Sequence, residues 1–204
     1  MKNYCLMATY KCNWMCDYCI TDTHNQNDIT NEIILAKLND IDNDSEVSIS
    51  GGEPGLIPKE RLDMIIASLR AKNCIINVNT NGRFFNKFPD YYNKIDNFYY
   101  HVSENMDIND NIIDVDDPDN KIEHMLVVTD NNMHNLDAFL RRYNQYEFTV
   151  NAAISVPVND KAGTKLSKFN AIKIYQKYKD IIHKESALFL LEDCTIVRDK
   201  LNRV

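Results

Sequence analysis

The sequence predicts an α/β fold, a partial (βα)6 barrel of the TIM type with parallel strands. Strand-like and helix-like patterns alternate along most of the 204 residues. The six strand candidates are fewer than the eight that close a full barrel. Motifs with polar or cysteine side chains follow the first three strand candidates directly, at the strand ends where such folds carry their chemistry.

The six strand candidates are short runs of apolar or alternating residues. They cover residues 3–8, 46–50, 74–79, 98–103, 123–129 and 147–154. Helical patterns separate most of them, so neighbouring strands are expected to pair in parallel through right-handed crossovers.

The helix candidates show apolar residues at helical spacing between the strands. They cover residues 30–41, 58–70, 135–143 and 167–182. Thr30 is a suitable N-cap for the first helix, and Pro58 opens the second. Residues 84–92 form a broken, aromatic-rich stretch, and a short helix is expected at 194–202. We therefore predict a core domain over residues 1–185 and a short C-terminal extension, residues 186–204, packed on that core.

Composition limits the classes of partner. The net charge of −7 argues against a general nucleic-acid binder, and no apolar run approaches the roughly 20 residues of a membrane span. Six cysteines in a chain of this length without a signal peptide indicate free thiols and a cytoplasmic location. Cys5, Cys74 and Cys194 lie in apolar contexts and are predicted to be buried and inert.

Cys12, Cys16 and Cys19 form a C-x3-C-x2-C motif on a short loop after the first strand. Thiolates are soft ligands that suit iron–sulfur clusters. Three thiols leave one iron of a [4Fe–4S] cluster open to another ligand, which points to chemistry beyond electron transfer. The alternative is a structural zinc site in which His24 completes a Cys3His set.

Gly51-Gly52-Glu53-Pro54 follows the second strand candidate. The two glycines allow a close approach of the backbone to a ligand, and Glu53 offers a carboxylate to an ammonium group. The alternative is an ordinary strand-to-helix turn, for which such residues are common.

Together the two motifs resemble those of the radical S-adenosylmethionine (SAM) superfamily. The matching segments are Met7-Ala8-Thr9-Tyr10-Lys11-Cys12-Asn13-Trp14-Met15-Cys16-Asp17-Tyr18-Cys19, Ser50-Gly51-Gly52-Glu53-Pro54 and, after the third strand, Asn79-Thr80-Asn81-Gly82. The resemblance implies a [4Fe–4S] cluster and SAM as cofactors and an electron donor of the flavodoxin or ferredoxin type. It implies reductive cleavage of SAM to methionine and a 5′-deoxyadenosyl radical, which abstracts hydrogen from a small substrate.

The resemblance also implies roles for individual residues. Cys12, Cys16 and Cys19 would be the catalytic cluster ligands, and Gly51, Gly52 and Glu53 would hold the SAM ammonium. The remaining cofactor-binding candidates are Tyr18 for adenine, Ser103 for the ribose or the carboxylate, Thr80 as an assisting group and Val156 for adenine. Ser103 has the alternative role of a strand-end cap. His101, on an apolar strand, is read as a core or barrel-facing residue.

Residues 104–119 depart from the family pattern. Many members of the superfamily carry an arginine soon after the fourth strand that pairs with the SAM carboxylate. Residues 104–119 contain several carboxylates and no cation, and Lys121, the first cation that follows, is the candidate for this pairing. The acidic run is either a solvated loop or a site for a cationic group or metal ion. Only Cys194 follows the sixth strand, so a second cluster is not expected. The expected substrate is a nucleotide, small metabolite or short peptide. The alternative functions are a catalytically degenerate SAM-binding protein and a glycyl-radical-type activating subunit.

Overall fold

The computed structural model describes residues 1–19, 21, 27–153 and 165–178, and it divides into two compact units. The first unit comprises the described parts of residues 1–15, 21–102 and 112–123. The second comprises the described parts of residues 16–20, 103–111 and 124–204. The predicted extension, residues 186–204, lies outside the described residues, so the predicted boundary at residue 185 stays a prediction.

The first unit is built on four parallel strands that neighbour one another in chain order. They are β1 (Asn3–Thr9), β2 (Glu46–Gly51), β3 (Ile75–Thr80) and β4 (Asn97–His101). The helices of this unit are α1 (Asn31–Asp40), α2 (Lys59–Ala71) and α3 (Arg83–Lys87), with short 3-10 helices at Pro54–Leu56 and Pro89–Lys94. Residues 84–92, for which the sequence predicted no regular element, therefore lie mostly in α3 and the second 3-10 helix.

Alternation along the strands separates an apolar face from a more polar one. Val47, Ile49, Val78 and Phe98 are fully buried on the apolar face. The helices cover this face with their own apolar stripes, to which α2 contributes Leu62, Ile65, Ile66 and Leu69. Thr30 caps α1 as predicted, since its side chain accepts a hydrogen bond from the N–H of Ile33.

The second unit contains a parallel strand pair and two helices. β5 (Ile122–Val128) pairs with β6 (Phe148–Ala152) from His124 onward. The helices are α4 (Leu136–Arg142) and α5 (Lys168–Tyr178). Leu126, Val128, Leu136 and Phe139 are fully buried in this unit. The α/β class with six parallel strands is confirmed, and it is consistent with the predicted partial barrel.

Several element ends differ from the predicted ones by one or two residues. β4 ends at His101 rather than at Ser103, because the Ser103 hydroxyl accepts a hydrogen bond from the N–H of Met106 and starts a turn. β6 ends at Ala152, and Ile154 lies outside the described residues. The described part of the last helix ends at Tyr178, so the predicted turn up to residue 182 and the short helix at 194–202 are outside it.

Candidate functional site

The cysteine loop begins directly after β1. In the first unit, the backbone N–H of Trp14 points at the Cys12 sulfur over 3.4 Å. In the second unit, the N–H of Cys19 donates to the carbonyl of Cys16 over 3.0 Å and closes a tight turn. All three thiols are half-buried and none is in a disulfide. Such N–H donors to sulfur are among the interactions that tune iron–sulfur clusters.

Tyr18 lies in the turn between Cys16 and Cys19 and is half-buried. Burial raises the pKa of its hydroxyl well above the usual value, and the Cys16 thiol and the Glu104 carboxylate add to this increase. The phenol is therefore neutral at physiological pH.

The donor set of the loop fits an iron–sulfur cluster in chemistry, because it offers three soft thiols on one short segment. Within the residues that the structure describes, no three His, Cys, Asp or Glu side chains are already arranged as a metal site. His24, the fourth ligand of the alternative zinc site, lies outside the described residues.

Gly51 and Gly52 bring the second motif against the start of the cysteine loop. The N–H of Gly52 donates to the Thr9 carbonyl over 2.7 Å, and the N–H of Glu53 donates to the Lys11 carbonyl over 2.8 Å. A Cβ at Gly52 would lie 2.0 Å from the Lys11 oxygen, and Gly51 has a φ of +117° with 2.3 Å from such a Cβ to the Thr9 oxygen. Only glycine permits this approach of two backbones at both positions.

The Glu53 carboxylate is 1% exposed and bridges the ends of two strands. Its Oε1 accepts from the N–H of Gly55 over 2.7 Å and from the Thr80 hydroxyl over 2.8 Å. Its Oε2 accepts from the N–H of Asn81 over 2.7 Å. Burial raises the pKa of Glu53, and these hydrogen bonds counteract only part of that increase.

Thr80 and Ser103, two predicted cofactor-binding residues, use their hydroxyls within the protein. The Thr80 hydroxyl donates to Glu53 and accepts from the N–H groups of Gly82 and Phe84 over 3.0 and 3.4 Å. The Ser103 hydroxyl donates to Asp110 and accepts from the N–H of Met106 over 2.6 Å. Both side chains are buried, which supports the capping alternative for Ser103.

The structure describes some, but not all, of the other residues that the sequence analysis singled out, namely Val156, Lys121 and the cysteines outside the motif. Val156 lies outside the described residues. The Lys121 ammonium contacts the Ile95 carbonyl and the Asp119 carboxylate and lies 4.8 Å from the centre of the Tyr92 ring. Cys74 is buried as predicted, whereas Cys5 is exposed, because it lies on the open, polar face of β1. Cys194 lies outside the described residues.

Asp28 and Arg61 support the site and were not found by sequence reasoning. The Asp28 carboxylate accepts from the Thr9 hydroxyl over 2.7 Å and from the N–H of Tyr10 over 3.1 Å. Arg61 pairs with Asp28 over 3.1 Å and reaches the Ala8 carbonyl over 3.4 Å. The pair therefore holds the end of β1, where the cysteine loop begins. No local pattern marks the two residues, since they are 33 positions apart.

The polar face of the first unit's sheet is lined by neutral hydrogen-bonding groups. Ser50 follows the buried Ile49, Asn79 follows the buried Val78, and Tyr99 and His101 flank the buried Tyr100. Burial lowers the pKa of His101 to about 4, so its imidazole is neutral at pH 7.

A ladder of side chains crosses the other end of this face. Asn97 donates to Asn77 over 2.9 Å, and Asn77 donates to Glu46 over 2.6 Å. The Glu46 carboxylate, the charged group of this ladder, thus has a hydrogen-bond donor. The ladder lies at the strand ends that are remote from the cysteine loop.

Comparisons with known proteins agree with this arrangement. A family model described as the radical SAM superfamily matches residues 6–121. The structure of native anSMEcpe with bound AdoMet is similar, with a TM-score of 0.59 and 16% identity over 88% of this chain and 59% of that chain. Streptococcus suis SuiB bound to its precursor peptide SuiA is similar with a TM-score of 0.55 and 15% identity over 87% of this chain and 45% of that chain.

A third similar structure is native anSMEcpe with bound AdoMet and the Cp18Cys peptide, with a TM-score of 0.55 and 15% identity over 88% of this chain and 58% of that chain. The chain thus spans about three fifths of the length of anSMEcpe and less than half of SuiB. No curated protein sequence matches the chain. None of the described helices is long and apolar enough to span a membrane.

Proposed function

The chain belongs to the radical SAM superfamily, and from this premise we propose that it cleaves SAM reductively to begin radical chemistry on a short peptide. Membership makes it an enzyme of this superfamily and implies a [4Fe–4S] cluster and SAM as its cofactors. When bound, these cofactors supply an electron to the sulfonium and yield methionine and a 5′-deoxyadenosyl radical that abstracts hydrogen from the substrate. The observation that carries the proposal is the bonding of Gly52 to Thr9 and of Glu53 to Lys11, where β1 passes into the cysteine loop.

Cys12, Cys16 and Cys19 are proposed to hold three irons and to leave the fourth for SAM. The N–H donor at the Cys12 sulfur and the phenol of Tyr18 beside Cys16 suit thiolates that carry negative charge. Tyr18 is proposed to contact adenine, since its ring lies within the loop and its hydroxyl stays protonated. Val156 stays a predicted adenine contact.

Gly51, Gly52 and Glu53 are proposed to receive the SAM ammonium. The Gly55, Thr80 and Asn81 donors fix the Glu53 carboxylate at the strand ends, and the N–H of Phe84 also acts to lower its pKa. The ammonium is proposed to interact with the negative charge of this carboxylate and with backbone carbonyls of the motif. Thr80 and Ser103 are proposed to act by fixing the loops that follow β3 and β4, since their hydroxyl hydrogens are already donated within the protein.

A short peptide is proposed as the substrate in preference to a nucleotide or another anionic metabolite. Ser50, Asn79 and neutral His101 carry polar groups without charge, which suits amide groups. No Lys or Arg lies in the described strands β1 to β4, so these strands offer a phosphate no cation. Two of the similar structures hold peptides, namely Cp18Cys and SuiA.

The proposal includes a flavodoxin- or ferredoxin-type electron donor and a cytoplasmic location. The location rests on the proposed role of Cys12, Cys16 and Cys19, which must stay thiols to hold a cluster and which a reducing compartment would maintain.

Formation of 5′-deoxyadenosine tests the proposal. The protein is reconstituted anaerobically with iron and sulfide, reduced with dithionite and incubated with SAM, and 5′-deoxyadenosine is measured by chromatography. We expect the product with the native chain and with Cys5→Ala, whose exposed thiol lies outside the motif, and none with Cys16→Ala. A reconstituted cluster that yields no product would contradict cleavage and favour a degenerate SAM-binding protein.

A further inference from the structure

An aromatic groove lies on the apolar face of β4, beside α3 and the 3-10 helix that follows it. Its volume is about 300 Å³. The rings of Phe85, Phe88, Tyr92 and Phe98 line it, together with the carboxylate-bearing residues Asp114 and Asp116. Phe98 packs against Phe85 with ring centres 5.1 Å apart and stacks on Tyr92 at 5.8 Å. The rings therefore form a packed wall.

The groove exists because no helix covers this part of the sheet. The connection between β4 and β5, residues 102–121, is described throughout and contains no helix. In alternating α/β folds a helix in that connection covers the outer face of the strand. Here Phe98 lies beside neighbouring rings and residues 113–116, which are in neither helix nor strand. Tyr99, the next residue, points to the opposite face, so the groove is separate from the polar face of the sheet.

The groove carboxylates of Asp114 and Asp116 take no part in the hydrogen bonds and ion pairs that hold the neighbouring Asp117 and Asp119. Asp117 accepts hydrogen bonds from the N–H groups of Lys121 and Ile122 and from the Tyr92 hydroxyl, and Asp119 pairs with Lys121. Asp114 and Asp116 are exposed, and neither forms an ion pair or hydrogen bond with any residue that the structure describes. The groove lining contains no Lys or Arg. Lys121 lies over the Tyr92 ring but pairs with Asp119, so Asp114 and Asp116 are the charged groups of the lining, beside aromatic faces that attract cations.

The backbone of residues 114–116, beside the rings, can also form hydrogen bonds with a ligand. Tyr100 holds the N–H of Ile113 through its hydroxyl over 2.9 Å. Beyond it, residues 114–116 are in neither helix nor strand, and within the described part of the chain their backbone groups form no hydrogen bond with other backbone groups. An extended peptide can pair with such a segment.

We propose that this groove docks a basic segment of a polypeptide partner. An apolar side chain of that segment lies on the rings, and adjacent Lys or Arg side chains pair with Asp114 and Asp116. An open groove with exposed carboxylates suits a side chain presented by a peptide, whereas small-molecule sites bury most of their ligand. The docking does not depend on the reaction proposed above, because it involves the opposite face of β4.

Fluorescence anisotropy of the full chain with two labelled probes tests the proposal. The probes are acetyl-Gly-Ser-Lys-Phe-Leu-Lys-Ser-Gly-amide and the same peptide with both Lys replaced by Glu. We expect saturable binding of the Lys probe only. Asp114→Asn with Asp116→Asn should weaken it by roughly five- to tenfold, since both charge pairs are lost. The matched control is Asp40→Asn with Glu60→Gln, which removes two exposed carboxylates elsewhere and should change binding less than about twofold.

Two further readouts locate the binding. Charge reversal by Asp114→Lys with Asp116→Lys should shift the preference to the Glu probe. In methyl NMR, the Lys probe should move the δ1 signal of Ile113, in the groove, and leave that of Ile34, in α1, unchanged. Absence of saturable binding up to about 1 mM, equal binding of both probes, or equal weakening in the two double variants would overturn the proposal.

Discussion

The Glu53 carboxylate joins the ends of β2 and β3 through a single buried side chain. It links the N–H of Gly55, after β2, with the Thr80 hydroxyl and the N–H of Asn81, at the end of β3. A buried carboxylate persists only when donors replace its hydration. The sequence predicted that Glu53 was important but not this second use, because its partners lie up to 28 residues away.

Thr80→Val tests this linkage. The substitution keeps the shape of the side chain but leaves Glu53 Oε1 and the N–H of Gly82 without their hydroxyl partner. We expect a loss of about 1–3 kcal/mol in the free energy of unfolding by urea. Thr80→Ser retains the hydroxyl and is the matched control, expected to lose less. Equal stability of Thr80→Val and the native chain would contradict the linkage.

His101 predicts a pH dependence of stability. Its folded pKa is about 4, below the ordinary value of 6.5, so between these values the unfolded chain binds a proton that the folded chain does not. The contribution of His101 to the free energy of unfolding is therefore complete above pH 6.5 and is lost as the pH falls towards 4. We expect this contribution to be on the order of 2 kcal/mol.

Urea unfolding of the native chain and of His101→Gln at pH 7.0, 5.5 and 4.5 measures the effect of this histidine. The variant should show a flatter profile over this range. A profile with the same slope in both proteins would show that His101 is not responsible.

At the scale of elements, α2 holds the start of the cysteine loop through Arg61. The pair of Arg61 and Asp28 is largely buried, with 12% and 18% of the side chains exposed. Burial raises the pKa of Asp28, but hydrogen bonds from Thr9 and Tyr10 and the Arg61 charge outweigh it and lower the pKa overall. The carboxylate is therefore ionised and fixes the last residues of β1.

Arg61→Met should weaken both the fold and the loop. It leaves the Asp28 charge without its cation, and we expect a loss of about 1–3 kcal/mol in the free energy of unfolding. Iron bound after reconstitution should also decrease. Lys59→Met is the matched control, because Lys59 forms an exposed ion pair with Asp63 on the same helix. If both variants bind iron and unfold like the native chain, Arg61 does not support the loop.

The elements themselves could be predicted because alternation and helical spacing are local patterns. Ile49 and Val78 are buried while Ser50 and Asn79 are not, as the strand period requires. The ends were less predictable, because contacts away from the strand set them. β4 ends two residues before Ser103. The Ser103 hydroxyl accepts a hydrogen bond from the N–H of Met106 and donates one to Asp110, so the chain turns away from the strand direction there.

At the scale of the whole chain, the family and its cofactors could be predicted because two motifs with specific spacing occur in order. The aromatic groove could not be predicted in this way. Residues 104–119 read only as an acidic run, and the structure divides their carboxylates between loop bonds, as at Asp117, and exposed positions in the groove, as at Asp114. That division depends on which rings pack against the outer face of β4, which sequence spacing does not encode.

Iron content together with the electron paramagnetic resonance spectrum, before and after SAM is added, tests the central claim most directly. For the anaerobically reconstituted and reduced chain, we predict about four irons and a cluster signal that changes on SAM addition, since three cysteines leave one iron open. Cys5→Ala should behave like the native chain, and Cys12→Ala should lose the signal. Bound zinc in place of iron, or a cluster signal that SAM does not change, would contradict the account.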